Sequence, residues 1–449
     1  MFKLLTVSLG LLLLSGCAAY GVVENAPLTG PATNSPRSYS IMNYIQEEQG
    51  SRDIEMVLAF SGGGTRAAAL AYGVLEELRD TTVVIEGQPR RLLDEIDVIS
   101  SVSGGSFTSA YYGLHGDGIF EDFKDVFLMN DIEGKLFRGL FNPYWWFNNA
   151  GRSEMAVRLY DREVFHGATF ADMQRDGPLI VINASDLGYG VRFSFVQEYF
   201  DLLCSDISSF PVVRAVTASS AVPLVFNPIV VENHHDCRAG GKPEWMKAAT
   251  KRLANDHDMA PVVKGLESFF EDEGRQYAHF VDGGITDNLG LRAVYEVVEL
   301  AGGSGGFYRM VEVMPPRYAV LITVNASTDP EPEMDRTNKQ PSVADTISAM
   351  SNVQLHRYND ATMALTETGM ARWAEEASTP ERTITPYHVK VGFIDVNSPE
   401  DQQFFNLIPT SFSLSDEQID RLILAGRELL RNNPEFQRLL ADLGQQGQF

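Results

Sequence analysis

The chain has 449 residues, 44% of them apolar and 21% charged. These are the proportions of a folded protein with a sizeable core, not of a disordered chain. A formal net charge of −24 excludes a nucleic-acid binder, and it excludes membrane contact made through a basic patch.

The first residues read as an address. Lys3 precedes an apolar run from Leu4 to Leu14, too short for a finished transmembrane helix, which needs about 20 residues. Residues 1–16 therefore read as a signal peptide. Leu14-Ser15-Gly16-Cys17 resembles a bacterial lipobox, so Cys17 is expected to become the lipidated first residue of the mature chain. Ala18, where an Asp would resemble an inner-membrane retention signal, points to the outer membrane, facing the periplasm. With Cys17 lipidated, two of the three cysteines remain, Cys204 and Cys237. An even remainder in an oxidising compartment suggests one disulfide. From Ala18 to about Ser40 the chain is rich in Gly, Pro, Asn and Ser without apolar periodicity, the pattern of a flexible tether (17–40). No later stretch is apolar enough to span a bilayer.

Residues 41–449 then read as one domain. Glu55 to Phe60 is a buried strand ending in glycines, and Thr65 to Arg79 has helical apolar spacing. Ile96 to Ser100 is a second strand. Leu179 to Asn183, Ala278 to Asp282, Ala319 to Asn325 and Tyr387 to Ile394 are further strands. Leu291 to Leu300 and Val343 to Thr362 are helices between them. Near the C-terminus, Ser415 with Gln418 fits a capping box that opens a helical extension, and Pro434 ends or kinks it. Alternating strands and helices predict an α/β domain with a mainly parallel sheet covered on both faces.

Three segments carry chemistry. Ser61-Gly62-Gly63-Gly64-Thr65-Arg66 lies between a strand and a helix. Such a loop can turn its N–H groups toward a negative oxygen, as an oxyanion hole in acyl transfer. Arg66 fixes the loop or adds positive potential. Gly62, Gly64 and Ala67, with Glu86 downstream, also match a loose dinucleotide fingerprint. Ser101-Val102-Ser103-Gly104-Gly105 follows a strand and opens a helix, approximating the Gly-x-Ser-x-Gly nucleophile elbow. Ser103 is the nucleophile candidate, Gly105 supplies the second small position, and Ser101 stands where the elbow has glycine. Asp282-Gly283-Gly284 ends a strand, where a carboxylate can serve as base to Ser103. Asp287 and Asn288 read as turn-stabilising.

Together these segments resemble the patatin-like phospholipase family, in the family's order and over roughly residues 54–295. Asn183 to Leu187 and Ala218 to Pro228 are further family-like blocks. The resemblance implies a three-layer α/β/α fold and a lipid acyl hydrolase that needs no metal or cofactor. It implies a Ser103–Asp282 dyad without a catalytic histidine, and oxyanion donors from Gly62 to Gly64 with Arg66 nearby. The expected partner is a phospholipid or other acyl-ester lipid. An acyltransferase on the same dyad and a non-catalytic lipid-binding lipoprotein are the alternatives.

Other features weigh less. His356 and His388 follow Asp282 in the order of a triad but sit in no motif. Phe137 to Phe147 is dense in aromatics and reads as packed loop or as a rim against lipid. His234-His235-Asp236-Cys237 lacks a second ligand pair at metal spacing. Glu271-Asp272-Glu273 reads as a solvated face.

Overall fold

A computed structural model describes residues 20–28, 39–47, 53–85, 87–140, 151–223, 225–329, 334, 337–338 and 340–444. Its centre is an eight-stranded sheet: β1 (Ile54–Phe60), β2 (Ile96–Val102), β3 (Leu179–Asp186), β4 (Arg192–Ser194), β5 (Ile229–Glu232), β6 (Tyr277–Val281), β7 (Tyr318–Asn325) and β8 (Thr385–Gly392). The order across the sheet is β8-β7-β1-β2-β3-β6-β5, with β4 also paired to β3. From β8 to β3 every pair is parallel, whereas β6 runs antiparallel to β3 and β5, and β4 antiparallel to β3. The central parallel strands are largely apolar and buried because helices cover both faces; all eight residues of β3 are buried.

The helices that matter to the site are α1 (Gly64–Asp80), α2 (Gly104–His115), α3 (Val212–Ser219), α4 (Leu291–Ala301), α5 (Val343–Ala377) and α6 (Asp416–Arg431). α1 and α6 pack at backbone distance. A Cβ on Gly73 would lie 2.1 Å from the Ile423 carbonyl oxygen, and one on Gly426 would lie 2.4 Å from that of Leu70. Arg431 bridges Glu77 at 2.6 Å beside this contact. The Ser415–Gln418 capping box opens α6, and a separate helix from Pro434 follows it. α5 runs 15 residues past its expected end at Thr362, because Met370, Trp373, Ala374 and Ala377 continue a buried stripe.

Of the expected tether (17–40), residues 17–19 and 29–38 lie outside the described residues. The signal peptide and Cys17 lie outside the described residues, and Gly21 to Leu28 lie against the domain. Ala26–Pro27 pairs antiparallel with Ser205–Asp206. Asn25 is buried and bonds Ser205 Oγ (2.6 Å) and the Glu232 carbonyl (2.8 Å). Glu24 pairs with Arg214. Glycine and proline content signals irregular backbone, and irregular backbone can still dock when its polar groups find partners. A disulfide joins Cys204 and Cys237, Cα atoms 5.4 Å apart, and braces the two segments that hold this strand. No described helix is long and apolar enough to cross a membrane.

Candidate active site

The register of the sheet assembles the site. β2 and β3 pair Val102 with Asn183, and β3 and β6 pair Ser185 with Val281. The next residues of β2 and β6, Ser103 and Asp282, therefore arrive on either side of the end of β3. Adjacent strands are about 4.8 Å apart, so two side chains reaching inward span the gap. The Ser103 hydroxyl comes close enough to the Asp282 carboxylate to favour its ionised form. β6 reaches this point running against β3, not as a further parallel strand.

Ser103 has φ 50° and ψ −120°, a conformation few non-glycine residues adopt and one that aims the hydroxyl out of the turn. Its N–H donates to Ser219 Oγ (2.8 Å), and Ser219 Oγ donates to the Asn183 carbonyl (2.6 Å). The turn is sterically closed on both flanks. A Cβ on Gly104 would stand 2.0 Å from the Gly64 carbonyl oxygen, and one on Gly105 would stand 2.7 Å from Phe60 Cβ. Ser101 replaces glycine without strain because its hydroxyl accepts from Ser109 Oγ at 2.6 Å in a buried pocket.

Asp282 is buried, and its backbone is clamped. Its N–H donates to Ala221 O (3.0 Å), and its carbonyl accepts from Ser185 Oγ (2.8 Å). Burial raises the carboxyl from 3.8 to about 6, held back by the Gly284 N–H, 2.8 Å from Oδ1, and by the Ser103 hydroxyl.

The glycine loop divides its labour. The Gly62 N–H donates to Asn288 O (2.9 Å) and the Thr65 N–H to Ser411 O (2.9 Å). Gly63 and Gly64 have positive φ, 142° and 61°, and among the described residues their N–H groups have no acceptor. Of the three glycines expected to supply oxyanion donors, Gly62 already gives its N–H to Asn288 O. Arg66 is buried, its guanidinium donating to Ala326 O (2.8 Å), Ile408 O (2.5 Å) and Thr410 Oγ1 (3.0 Å). Burial lowers it to about 10. It fixes the loop and does not face the dyad.

A model of patatin-like phospholipases matches residues 58–295. The chain belongs to the patatin-like phospholipase family. That family is one of lipid hydrolases. The human GIVD cytosolic phospholipase A2 is similar in structure, with 12% identity, a TM-score of 0.45, and coverage of 91% of this chain and 63% of that one. VipD from Legionella pneumophila is also similar, with 10% identity, a TM-score of 0.33, and coverage of 87% of this chain and 67% of that one. The chain spans about 63% of the human enzyme's length. No curated protein matches the sequence. The family region excludes Ile408 to Ser411, yet those residues anchor the glycine loop, so the C-terminal extension is part of this member's site.

Beyond the dyad, several residues shape the site that sequence reading left without a role. Ser219 and Asn183 stood inside the two further family-like blocks, and their small or amide side chains were the available signal. Asn183 Nδ2 donates to Ser100 Oγ (3.0 Å) and Ser101 O (3.1 Å), while its Oδ1 accepts from Arg192 (3.1 Å). Arg192 is fully buried and paired with Glu296 at 2.9 Å. Nothing in the sequence singles out this ion pair, because its members lie 104 residues apart.

Asp287 is buried and accepts from the Ala293 N–H (3.0 Å), holding the start of α4. His388 sits on β8 against Thr323 Oγ1 (2.9 Å), and burial lowers it to about 4. Among the described residues no histidine partners Ser103 or Asp282. Cys237 is in the disulfide and His234 bonds Asn25 O (3.1 Å). Among the described residues no three His, Cys, Asp or Glu side chains converge as metal ligands. Glu86 and residues 141–150 of the aromatic stretch lie outside the described residues.

Proposed function

We propose that this protein is a lipid acyl hydrolase in which Ser103 is the nucleophile, Asp282 the base, and Gly63 and Gly64 the oxyanion donors. The observation that carries this reading is the strained Ser103, brought by the sheet register to the buried Asp282 carboxylate, beside a loop with two N–H groups that have no acceptor among the described residues. Asp282 takes the Ser103 proton as Oγ bonds the ester carbonyl carbon. The carbonyl oxygen gains charge against the Gly63 and Gly64 N–H groups; losing one such donor typically costs about 3 kcal/mol. The intermediate collapses, the C–O bond to the alcohol or lysolipid breaks, and Asp282 returns the proton to the leaving oxygen. Water then gives its proton to Asp282 and attacks the acyl carbon; the acyl–Oγ bond breaks, Asp282 returns the proton to Ser103 Oγ, and the fatty acid leaves. A base near 6 is ionised at neutral pH yet still strong enough to accept a proton.

The reading extends to location. Leu14 to Cys17 supports a lipid anchor on Cys17 in a bacterial envelope, at the outer membrane facing the periplasm, and the Cys204–Cys237 bond suits an oxidising compartment.

The test is a fluorophosphonate probe and a phospholipid panel applied to wild type, Ser103→Ala and Asp282→Asn. Wild type should label and release fatty acid, Ser103→Ala should do neither, and Asp282→Asn should label slowly. Fatty-acid release by Ser103→Ala at the wild-type rate refutes the proposal. The mass of the mature N-terminus tests the anchor.

A further inference from the structure

An apolar rim borders the dyad. Asp282 N–H is held by Ala221 O, and the following residues turn outward, with Val222 40% and Val225 52% exposed and Pro223 exposed between them. On the other side of the carboxylate, Gly284 holds Oδ1 and Ile285 is 53% exposed. Single exposed aliphatics are ordinary on a protein surface; a cluster at a site mouth is not. In a chain of net charge −24, residues 215–231 contain no charged side chain, so this stretch of the rim carries no charge of its own.

The N-terminal segment leads to the same rim. Read backward from Leu28, its contacts move from the Cys204 carbonyl to Glu232, through Asn25, and then to Val230, against which Gly21 packs. Along β5 that is the direction toward the dyad, since Glu232 pairs with Tyr277 while Ile229 pairs with Phe280, two residues before Asp282. The segment therefore leaves β5 at its active-site end, where Tyr20 is 73% exposed. Tyr20 is three peptide steps from Cys17, a reach of at most about 11 Å.

We infer that the face formed by Tyr20, Val222, Val225 and Ile285 docks on the bilayer that holds the Cys17 anchor, so that the site draws acyl-ester lipid from that leaflet. The inference rests on the lipidated hydrolase proposed above. The docked N-terminal segment acts as a short rigid arm, and the aliphatic rim supplies the apolar contact that a negative protein cannot obtain from charge.

The experiment uses the lipidated protein in phosphatidylcholine vesicles, carrying an environment-sensitive NBD label on Val225→Cys, Ile285→Cys or Leu424→Cys. Leu424 is exposed on α6, which packs on β8 at the far edge of the sheet. Labels at 225 and 285 should brighten, shift to the blue and be quenched by spin-labelled lipid, while the label at 424 should not. Equal behaviour at all three positions overturns the inference. So does brightening at 225 and 285 that follows protein concentration without vesicles, which would assign the rim to a second copy of the chain. An unmodified Cys17 overturns it as well. Hydrolysis is read separately on non-lipidated Cys17→Ser protein. There, Val225→Glu with Ile285→Glu should leave turnover of a water-soluble short-chain ester within about twofold and lower vesicle hydrolysis by about tenfold or more. If no variant cleaves the soluble ester, the hydrolase reading fails while the label pattern still decides the docking.

Discussion

Asp282→Asn should make the protein more stable at pH 8 while disabling it. The substitution keeps shape and an acceptor for the Gly284 N–H, 2.8 Å away, and removes a buried charge. The carboxyl is raised from 3.8 to about 6 in the fold, so the folded state binds the proton more tightly than the unfolded chain. The associated stability is complete below pH 3.8 and is lost as pH rises through 6. Above pH 7 the ionised carboxylate therefore opposes folding by about 3 kcal/mol, taking 1.36 kcal/mol per pKa unit. With unfolding entropy near 2 cal/mol/K per residue, this corresponds to roughly 3 °C in Tm for a chain of this size. Calorimetry of wild type and Asp282→Asn at pH 8 and pH 4 measures it. The variant should melt ~3 °C higher at pH 8 and less than about 1 °C higher at pH 4. Ester turnover should fall by about 10²- to 10⁴-fold, the usual range for loss of a general base. A variant less stable at pH 8, or a gap independent of pH, would refute both the burial argument and the assignment of the shift to Asp282.

Three further outcomes follow from the same geometry. The acid limb of kcat/KM should have its midpoint near pH 6, where Asp282 takes up its proton; a midpoint near 4 would mean a solvated carboxylate. Ser219→Ala strands the buried Ser103 N–H and should cost about 1–3 kcal/mol in denaturant titrations. Its kcat should fall with little change in KM, whereas Ser220→Ala, which loses only a bond within α3 (2.8 Å to Val216 O), should leave kcat unchanged. Reducing Cys204–Cys237 opens a loop of 33 residues and should lower stability by roughly 3–4 kcal/mol on the chain-entropy argument. Limited proteolysis should then cut between Tyr20 and Leu28 before the core; an equally protected segment would show that the bond does not brace it.

Much of the architecture was legible because short-range rules govern it. Apolar runs leading into glycine-containing turns marked β1 and β2, and an apolar run alone marked β7, since a strand covered on both faces is mainly apolar. Ser415 and Gln418 marked the start of α6 because a cap is satisfied within four residues. The Ser103 turn and the Asp282 segment were likewise visible as local patterns of small residues around one reactive group. The antiparallel course of β6 was not legible, because strand direction is set by pairing with β3 and β5 and leaves no mark in the strand itself. Nor was the docking of Gly21 to Leu28, whose acceptors come from Cys204, Ser205 and Glu232. The division within the glycine loop depended on Asn288, Ser411 and Ala326, each 226 to 346 positions from the loop residue it holds. Only the assembled sheet could decide which N–H groups were spent and that Arg66 would face inward. A hydrogen bond is a relation between two places in space, and the chain order records just one of them at a time.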